Sequence, residues 1–276
     1  MADSTQVTHV DLAQDHEAAL MFWNGHAEAW KQHVGLDGDA NRRLNSDPVL
    51  WRMLGDVRGR TILDAGCGTG YLATKLVTLG GASKVVGIDF SPEMIRVCKE
   101  SSPLPEDLLE FRVDSCSTLA SIPDDNTFDA LVSNYVLMDV ADFRSAIRHF
   151  FRVLKPGGIA VVIFSHPCFP LPDVPSIQGQ PCMLMPFPYF EERTLALPSW
   201  NQELFRGSFV AFHRPLSAYW QTFTTVGFHI LELDEPHYED TPEHRSFQIP
   251  SDAPQLDRLH RRPYSIAFKL LKPNNN

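Results

Sequence analysis

Several features that would assign this chain to a specialised class of protein are missing from its sequence. No apolar run reaches the roughly 20 residues that a membrane-spanning helix needs. Basic residues are in the minority, with 24 Lys and Arg against 34 Asp and Glu and a net charge of −10. Because nucleic-acid binding relies on clustered Lys and Arg, this balance argues against such a partner. We therefore expect neither a membrane nor a nucleic acid among the partners of this protein.

Cysteine is also scarce. The chain has five cysteines, an odd number, and none of them belongs to a C-x-x-C pair. This pattern favours a reducing compartment over a disulfide framework. The first 20 residues carry acids and lack the basic-then-apolar pattern of a secretory signal. The expected setting is cytoplasmic, with the protein acting as a monomer or a homodimer.

What the sequence does contain is a regular alternation of predicted strands and helices. Its 276 residues, 43% of them hydrophobic, are enough to bury a large core. The predicted strands are TILDAG, KVVGIDF, LEFRVDS, FDALVSNYV, GIAVVIFS, HILELDEP and YSIAFKLLK. Helical patterns lie between most of them, and this alternation predicts a parallel sheet with right-handed crossovers.

Two regions flank or interrupt this alternation. Residues 12–34 are predicted to form one helix, and SDPVLWRML a second with Asp47 as its N-cap. Residues 165–213 are crowded with proline and aromatic residues, which is typical of a lid or binding segment, and YFEERTLAL and GSFVAFHR within them are predicted to pair as a hairpin. We divide the chain into an N-terminal helical cap (1–58), a ligand-binding core (59–164), a lid and substrate insertion (165–213) and the completion of the α/β core (214–276).

The stretch TILDAGCGTGYLA is the clearest indication of a ligand site. Glycine at Gly66, Gly68 and Gly70 permits a tight turn that brings backbone N–H groups and a helix N-terminus against a ligand. The spacing departs from the dinucleotide fingerprint G-x-G-x-x-G, since Tyr71 stands at its third glycine, and the G-K-[ST] of a phosphate loop is missing. Asp64, just before the loop, would repel a pyrophosphate but suits a ligand that carries an ammonium and a sulfonium.

Two further acids follow the next two strands. Asp89 ends the second core strand about 20 residues after the glycine loop, which is the spacing of the ribose-binding acid in βαβ nucleoside folds. Asp114 ends the third strand, where it could accept from an adenine amino group. Each acid alone could instead be a cap or a turn residue, so it is the set that indicates a nucleoside.

These stretches occur in the order of a known family. ILDAGCGTG, VVGIDFSPEMI, FRVDS, FDALVSNYVLMDV and VLKPGG resemble the successive motifs of the class I S-adenosylmethionine-dependent methyltransferases of small-molecule type. The resemblance implies an α/β, Rossmann-like fold with a seven-stranded sheet, mostly parallel with an antiparallel last strand, and helices on both faces. It also implies S-adenosylmethionine as the cofactor, bound by residues 59–164.

The resemblance extends to individual residues. The cofactor-binding residues that it implies are Asp64, Gly66, Cys67 and Gly68 at the methionine moiety, Asp89 at the ribose, Phe90, Met94, Asp114 and Ser115 around the adenine, and Asn134 near the methionine end. Apolar residues after the fourth strand and in the insertion would then contact a small, partly apolar acceptor. The acceptor contacts that we predict are Tyr135, Met138, Phe169, Met185 and Tyr189.

The predicted reaction is methyl transfer from S-adenosylmethionine to an oxygen or nitrogen atom of this acceptor. The sulfonium already activates the methyl group, so the protein mainly supplies proximity and orientation. Our candidates for a catalytic proton acceptor are His166, which follows a strand end, and His213, which closes the insertion. His166 and Cys168 also suggest a metal pair, but the remaining spacing of a zinc site is missing, and we expect no metal.

Other interpretations remain open from the sequence. The same fold and cofactor would serve C-methylation or a non-methylating reaction such as cyclisation. A binding module that senses S-adenosylmethionine would also keep the glycine loop. Trp23 and Trp30, seven residues apart, fit a helix core better than a substrate platform. The insertion could equally serve only to cover the sheet.

Overall fold

The computed structural model describes residues 7–8, 11–169, 174–177, 180–182, 187–198, 203–237 and 262–274. Its strands are β1 (Val7–Thr8), β2 (Thr61–Ala65), β3 (Lys84–Asp89), β4 (Leu109–Val113), β5 (Phe128–Asn134), β6 (Leu154–Ser165), β7 (Val174–Ile177), β8 (Gln180–Cys182), β9 (Arg193–Pro198), β10 (Ser208–His213), β11 (His229–Asp234) and β12 (Ser265–Leu271). Its helices are α1 (Leu12–Gly25), α2 (Ala27–Val34), α3 (Asp47–Leu54), α4 (Tyr71–Thr78), α5 (Pro92–Ser101), α6 (Phe143–Val153) and α7 (Leu216–Val226). Among the helices in these ranges, none is long and apolar enough to cross a bilayer.

A seven-stranded sheet forms the centre of the molecule, in the order β11-β12-β6-β5-β2-β3-β4. The pairs from β6 to β4 are parallel, whereas β12 runs antiparallel to both β6 and β11. This arrangement confirms the predicted Rossmann-like sheet with an antiparallel last strand. The chain proceeds outward from β2 to β4 and then returns to β5, so the strand order reverses between β2 and β5. Open α/β sheets bind ligands at the carboxyl ends of strands at such a reversal.

Helices cover both faces of this sheet. Neighbouring side chains of a strand point to opposite faces, so Ile62 packs in a core with α1 to α5, and Leu63 packs in a second core with α6 and α7. Both side chains are fully buried. A strand covered on both faces must be apolar along its length, which explains the unbroken apolar character of the central strands in the sequence.

The first predicted helix is broken in two. α1 ends at Gly25 and α2 begins at Ala27, with His26 between them outside helical geometry. Glycine is unfavourable inside a helix, and the Nδ1 atom of His26 lies 2.7 Å from the carbonyl oxygen of Phe22. The prediction of a single helix over residues 12–34 was therefore wrong at this position.

The predicted N-cap role of Asp47 was also wrong. A π-helical turn, Arg42–Ser46, runs directly into α3, so Asp47 already has helical geometry. Its carboxylate accepts a hydrogen bond of 3.0 Å from the hydroxyl of Tyr71 instead. This contact links α3 to the helix that follows the glycine loop.

The described parts of the insertion form small β-structures. β9 pairs antiparallel with β10, which confirms the predicted hairpin, and β1 adds to β9. This small sheet contacts α1, where the rings of Phe22 and Phe209 are 5.9 Å apart and the hydroxyl of Thr194 bonds the carboxylate of Asp15. β7 pairs with β8. Met185, one of the predicted acceptor contacts, lies outside the described residues.

Candidate active site

A cavity opens at the carboxyl ends of β2, β3 and β5, where the strand order reverses. Together with the open solvent at its mouth, the cavity comprises about 850 Å³ of space. The glycine loop, the three strand ends and the turn after β5 form its floor. Side chains of α1, α2 and the π-helical turn form the opposite wall.

The glycine loop is held in a conformation that only glycine adopts easily. Gly66, Gly68 and Gly70 have φ angles of 85°, 54° and 80°. The backbone N–H groups of Gly66 and Cys67 both donate to the carbonyl oxygen of Ile88, at 2.9 and 2.8 Å. The loop is therefore tied to the end of β3 at the edge of the cavity.

Close contacts add a second reason for glycine at two of these positions. A Cβ atom on Gly66 would lie 2.3 Å from a methyl carbon of Val136, and one on Gly70 would lie 2.7 Å from the ring of Phe111. Both neighbours are packed side chains of other elements. The thiol of Cys67 is buried, and this burial raises its pKa well above the ordinary value, as expected for a packing residue. These contacts keep the loop in one position along the cavity floor.

Asp89 joins the loop to the next helix. Its Oδ2 accepts from the N–H of Gly68 at 3.0 Å, and its Oδ1 accepts from the N–H of Ser91 at 2.9 Å. The carboxyl group lines the cavity, and burial raises its pKa to about 6 in spite of these two bonds. A carboxylate has room for further donors, so Asp89 can still accept from ligand hydroxyl groups.

Asp64 is buried in the cavity floor with an unused acceptor. Within the described part of the chain, its Oδ2 atom has no hydrogen-bond partner. Burial and the nearby Asp89 raise the pKa of Asp64 to about 7. A buried carboxylate in this state is costly unless a donor or a positive charge completes it. The position therefore suits the cationic end of a ligand.

Asn134, at the end of β5, belongs to a polar network beside the cavity. Its Nδ2 donates to the hydroxyl of Tyr71 at 3.1 Å, and Tyr71 in turn donates to Asp47. Burial raises the pKa of Tyr71 well above its ordinary value, so the phenol is neutral and can act as both donor and acceptor. The Oδ1 atom of Asn134 is buried without a partner among the described residues. It is thus a second free acceptor at the cavity.

The predicted adenine contacts divide into two groups. Phe90, Met94 and Ser115 line the cavity, but Asp114 does not. The carboxylate of Asp114 accepts from the loop that follows it, from the backbone N–H of Ser115, Ala120 and Ser121 and from the hydroxyls of Thr118 and Ser121. These five hydrogen bonds show that Asp114 stabilises the loop that follows it. This is the turn-residue alternative that the sequence left open.

Four residues that precede the glycine loop in the chain also line the cavity, and they were not among the site residues predicted from the sequence. Trp23, Trp30, His16 and Arg42 all line the cavity. The two tryptophans also pack in the core, with their rings 5.2 Å apart. Their helical spacing was the available signal, but it indicates burial and does not reveal which cavity a helix covers. The N-terminal cap therefore contributes directly to the site.

Arg42 carries a buried positive charge in this wall. Its guanidinium pairs with Asp39 and lies 4.8 Å from the ring centre of Trp30 and 5.4 Å from that of Tyr135. Burial opposes the charge, but Asp39 more than offsets it and the pKa of Arg42 is raised. The arginine thus holds two aromatic rings at the cavity edge.

The structure does not bring the predicted acceptor-contact residues together around the cavity. Tyr135 lines the cavity with a φ of 59°, and its hydroxyl bonds Ser265. Met138, Phe169 and Tyr189 are not among the residues that line it. The hydroxyl of Tyr189 accepts from the N–H of Leu216 at 2.8 Å, which is a structural contact of the insertion.

The two histidine candidates also lie outside the cavity lining. His166 is buried with Nε2 2.7 Å from a carboxylate oxygen of Glu235, and its ring packs on Phe169. His213 is buried with Nε2 2.8 Å from the carbonyl oxygen of Tyr189. Burial lowers the pKa of both histidines. Their catalytic role stays a prediction, and the geometry does not favour it.

One acid that was not among our predicted site residues does line the cavity. Asp139 ends the 3-10 turn Leu137–Asp139 directly after β5. Its Oδ1 atom is buried and has no partner within the described ranges. Among the described residues, no group of three His, Cys, Asp or Glu side chains is arranged to hold a metal ion.

The residues of this cavity fit S-adenosylmethionine. Asp64 offers an uncompensated carboxylate to a cation, Asp89 retains acceptor capacity for ribose hydroxyls, and Phe90 supplies an apolar surface for the base. The close approach of the glycine loop matches a ligand laid against its backbone. The fold and this site together define a class I S-adenosylmethionine-dependent methyltransferase.

Comparison with known proteins agrees with this class. Residues 63–162 match the family model described as a methyltransferase domain. The chain is similar to the ubiquinone/menaquinone biosynthesis C-methyltransferase of Cronobacter sakazakii, with 37% identity over 179 residues, which cover 60% of this chain and 69% of that protein. The chain belongs to the class I S-adenosylmethionine-dependent methyltransferases, and S-adenosylmethionine is its cofactor.

Two further similarities define the extent of the match. The demethylmenaquinone methyltransferase of Lactococcus lactis is 36% identical over 132 residues, which cover 44% of this chain and 51% of that protein. This chain thus spans about half the length of that relative. A solved S-adenosylmethionine dependent methyltransferase from Mesorhizobium loti has a TM-score of 0.63 and 24% identity, with 86% of this chain and 99% of that chain covered. At this identity the likeness concerns the fold.

Proposed function

We propose that this enzyme transfers the methyl group of S-adenosylmethionine to an oxygen or nitrogen atom of a small, partly apolar molecule. The observation that carries the proposal is the composition of the cavity. The same cavity is lined by acceptors for a cationic nucleoside, at Asp64 and Asp89, and by aromatic side chains, among them Trp23, Trp30 and Tyr135. A small acceptor with an aromatic or aliphatic body would fit against these aromatic side chains.

The protein's part in such a transfer is to orient the reactants and exclude water. When bound, the cofactor supplies an activated methyl group on a positively charged sulfur. Trp23 and Trp30 cover the cavity, and Tyr135 and Val136 close it beside the glycine loop. These side chains provide a dry, shaped wall against which an acceptor can be positioned, and positioning is the main requirement of an in-line displacement.

A second candidate is methylation of a carbon atom. Two of the similar proteins are named as a C-methyltransferase of ubiquinone and menaquinone biosynthesis and a demethylmenaquinone methyltransferase. These matches cover 60% and 44% of this chain, so they bear less on the acceptor. An electron-rich ring that carries a hydroxyl group would serve either candidate, because its oxygen and its ring carbon are both nucleophiles.

The proposal is tested with S-adenosylmethionine labelled with ¹³C in its methyl group. The purified protein is incubated with a panel of phenols, anilines, aliphatic amines and quinols, and the products are examined by NMR. The ¹³C shift of the transferred methyl distinguishes a bond to oxygen, nitrogen or carbon. We expect transfer to oxygen or nitrogen of an aromatic acceptor; labelled methyl on ring carbon alone would select the second candidate.

Calorimetry provides the accompanying measurement of cofactor binding. We expect S-adenosylhomocysteine to bind and NAD not to bind, because the glycine spacing and the buried carboxylate of Asp64 oppose a pyrophosphate. Binding of S-adenosylhomocysteine without transfer to any acceptor class would contradict the proposal and favour a sensing module. Conversion of an acceptor without labelled methyl in the product would favour a non-methylating reaction.

A further inference from the structure

Asp139 is an acid in the cavity wall that the cofactor-binding arrangement leaves unused. Asp64 and Asp89 stand at the strand ends, where we expect the cationic end and the ribose of the cofactor. Asp139 lies beyond them, on the turn after β5, next to Val140 of the same wall. Its buried Oδ1 atom has no hydrogen-bond partner in the described part of the chain. A buried free acceptor on a residue that lines a cavity is available to a hydrogen-bond donor of a ligand.

The turn that carries Asp139 is held rigidly by a buried arginine. The guanidinium of Arg214 donates to the carbonyl oxygens of Leu137, Val140 and Ala141, at 3.0, 2.6 and 2.8 Å. Arg214 has only 2% of its surface exposed. Three bonds from one planar group hold the turn in one conformation, so the position of Asp139 relative to the cavity is preorganised.

The charged and polar groups around Asp139 come from several elements. The indole of Trp23, on α1, donates to its carboxylate, and the positive charge of Arg214 favours the ionised form, whereas Asp89 opposes it. His16 and Arg42 line other parts of the same cavity. Burial outweighs the two favourable contacts and raises the pKa of Asp139 to about 8. A carboxylate with this raised pKa is a stronger base than an ordinary one.

We propose that Asp139 is the catalytic residue that accepts the proton of the acceptor's O–H or N–H group during methyl transfer. The proposal rests on the proposed function. In this step the lone pair of the acceptor heteroatom forms a bond to the methyl carbon, and the bond between that carbon and sulfur breaks. The electron pair of the broken bond stays on sulfur, which becomes a neutral thioether. The proton of the acceptor moves to Oδ1 of Asp139 and then to water.

The test compares Asp139→Asn with the wild-type protein on a series of substituted phenols of decreasing pKa. Asparagine keeps the shape and can still accept from Trp23, but it cannot take a proton. We expect kcat to fall by about a hundredfold or more for weakly acidic phenols, in line with the usual contribution of a general base. The loss should shrink as the phenol becomes more acidic, because an already ionised acceptor needs no base. A purely structural role would give the same loss across the series.

Binding and pH provide the controls. The Kd of S-adenosylhomocysteine, measured by calorimetry, should change less than threefold in Asp139→Asn. The rate of the wild-type protein should fall as pH decreases through the pKa of Asp139, and Asp139→Asn should lack this limb. Asp56→Asn is the matched control, since Asp56 is exposed in a loop and pairs with Arg58 away from the cavity. Its rates should equal those of the wild type.

Trp23→Phe is a second variant, which leaves Asp139 itself unchanged. It removes the indole N–H that favours the ionised form of Asp139, so the acidic limb of the pH profile should move to higher pH. An unchanged limb in this variant, or full kcat on weakly acidic phenols in Asp139→Asn, would overturn the assignment. Loss of the limb in His166→Gln or His213→Gln, with Asp139→Asn unaffected, would assign the proton to a histidine. Failure of the wild type to methylate any acceptor would overturn the proposed function itself, a different result from the others.

Discussion

The carboxyl groups of Asp64, Asp89 and Asp139 all line one cavity, and their pKa values are raised to about 7, 6 and 8. Burial is the first cause in each case. Such groups reduce the stability of a protein unless a ligand compensates them. Their concentration at one edge of the sheet is therefore better explained by binding than by folding, and perturbed acids in a cleft are typical of functional sites.

Asp89 is the residue whose replacement should affect cofactor binding most directly. We expect Asp89→Ala to weaken the binding of S-adenosylhomocysteine by about 1.5–3 kcal/mol, or roughly tenfold to a hundredfold, because charge-assisted hydrogen bonds are lost. The same change removes the acceptor for the N–H of Gly68, so the glycine loop should also loosen. Asp89→Asn should be milder because one acceptor oxygen remains.

Calorimetric titration measures these constants, with Asp56→Ala as the control for removal of an acid. Asp56 is exposed and its removal should leave the Kd unchanged. If Asp89→Ala binds S-adenosylhomocysteine as tightly as the wild type, the ribose does not contact this carboxylate.

At the scale of secondary structure, the site depends on how a loop and a helix pair are fitted together. The glycine loop lies between Val136 on the turn after β5 and the backbone end of β3, with no room for a Cβ atom at Gly66. On the other side, α1 and α2 bring Trp23 and Trp30 over the cavity. The acceptor wall was predicted in residues 165–213, but none of the described residues of that segment lines the cavity.

Gly66→Ala should damage the site through two separate effects. A non-glycine residue at a φ of 85° costs about 1–2 kcal/mol, and the new methyl group would lie 2.3 Å from Val136. We expect a lower Tm and weaker binding of S-adenosylhomocysteine. Gly55→Ala is the matched control, because Gly55 has a φ of 69° and nothing within 4 Å of the new atom.

The double variant Gly66→Ala/Val136→Ala separates the two effects, since the smaller side chain removes the close contact and leaves the backbone strain. It should recover part of the Tm lost in Gly66→Ala. Equal losses of Tm in Gly66→Ala and Gly55→Ala would show that the contact with Val136 relaxes without cost.

For the whole molecule, the buried acids couple stability to pH. The raised pKa values mean that the folded protein keeps protons which the unfolded chain has already lost. The contribution of these acids to the free energy of unfolding therefore falls as pH rises from the pKa of the unfolded carboxyl, about 4, to the pKa in the folded protein. Arg42 is buried at the cavity as well, but its charge is matched by the nearby Asp39. The net effect in the ligand-free protein is a site that becomes more costly as pH rises.

We expect the contribution of Asp64 and Asp139 to the free energy of unfolding of the ligand-free protein to fall as pH rises from about 4, where these carboxyls ionise in the unfolded chain, and to level off near pH 8, once both have ionised in the folded protein. His166 and His213 act in the opposite sense, because their lowered pKa values favour the folded state as pH rises through about 6.5, the pKa of the unfolded histidines. Urea unfolding at a series of pH values measures the slope. Asp64→Asn should flatten it, and saturating S-adenosylmethionine should raise stability throughout. A slope of the same size in Asp64→Asn would assign the effect to other groups.

The sequence by itself determined the fold class and indicated which strand-end and glycine-loop residues line the cavity. Strand and helix periodicity, capping residues and three glycines at fixed spacing are local properties, and they can be recognised without knowing which elements meet. Asp64, Asp89 and the loop residues followed from this information, because the carboxyl ends of parallel strands necessarily share one edge of the sheet. Asp114 shows the limit, since its strand-end position was predictable but its five loop donors were not.

Only the tertiary structure decided which residues close the cavity. α1 and α2 lie far from the glycine loop in sequence, and their amphipathic pattern indicates a buried face without indicating what it covers. The donation of Trp23 to Asp139 and the three bonds of Arg214 to the turn after β5 join residues that are 73 to 116 positions apart. Contacts of this kind depend on the packing of complete elements, which is why the free oxygen of Asp139 could be recognised only in the fold, although the residue lies within the motif FDALVSNYVLMDV.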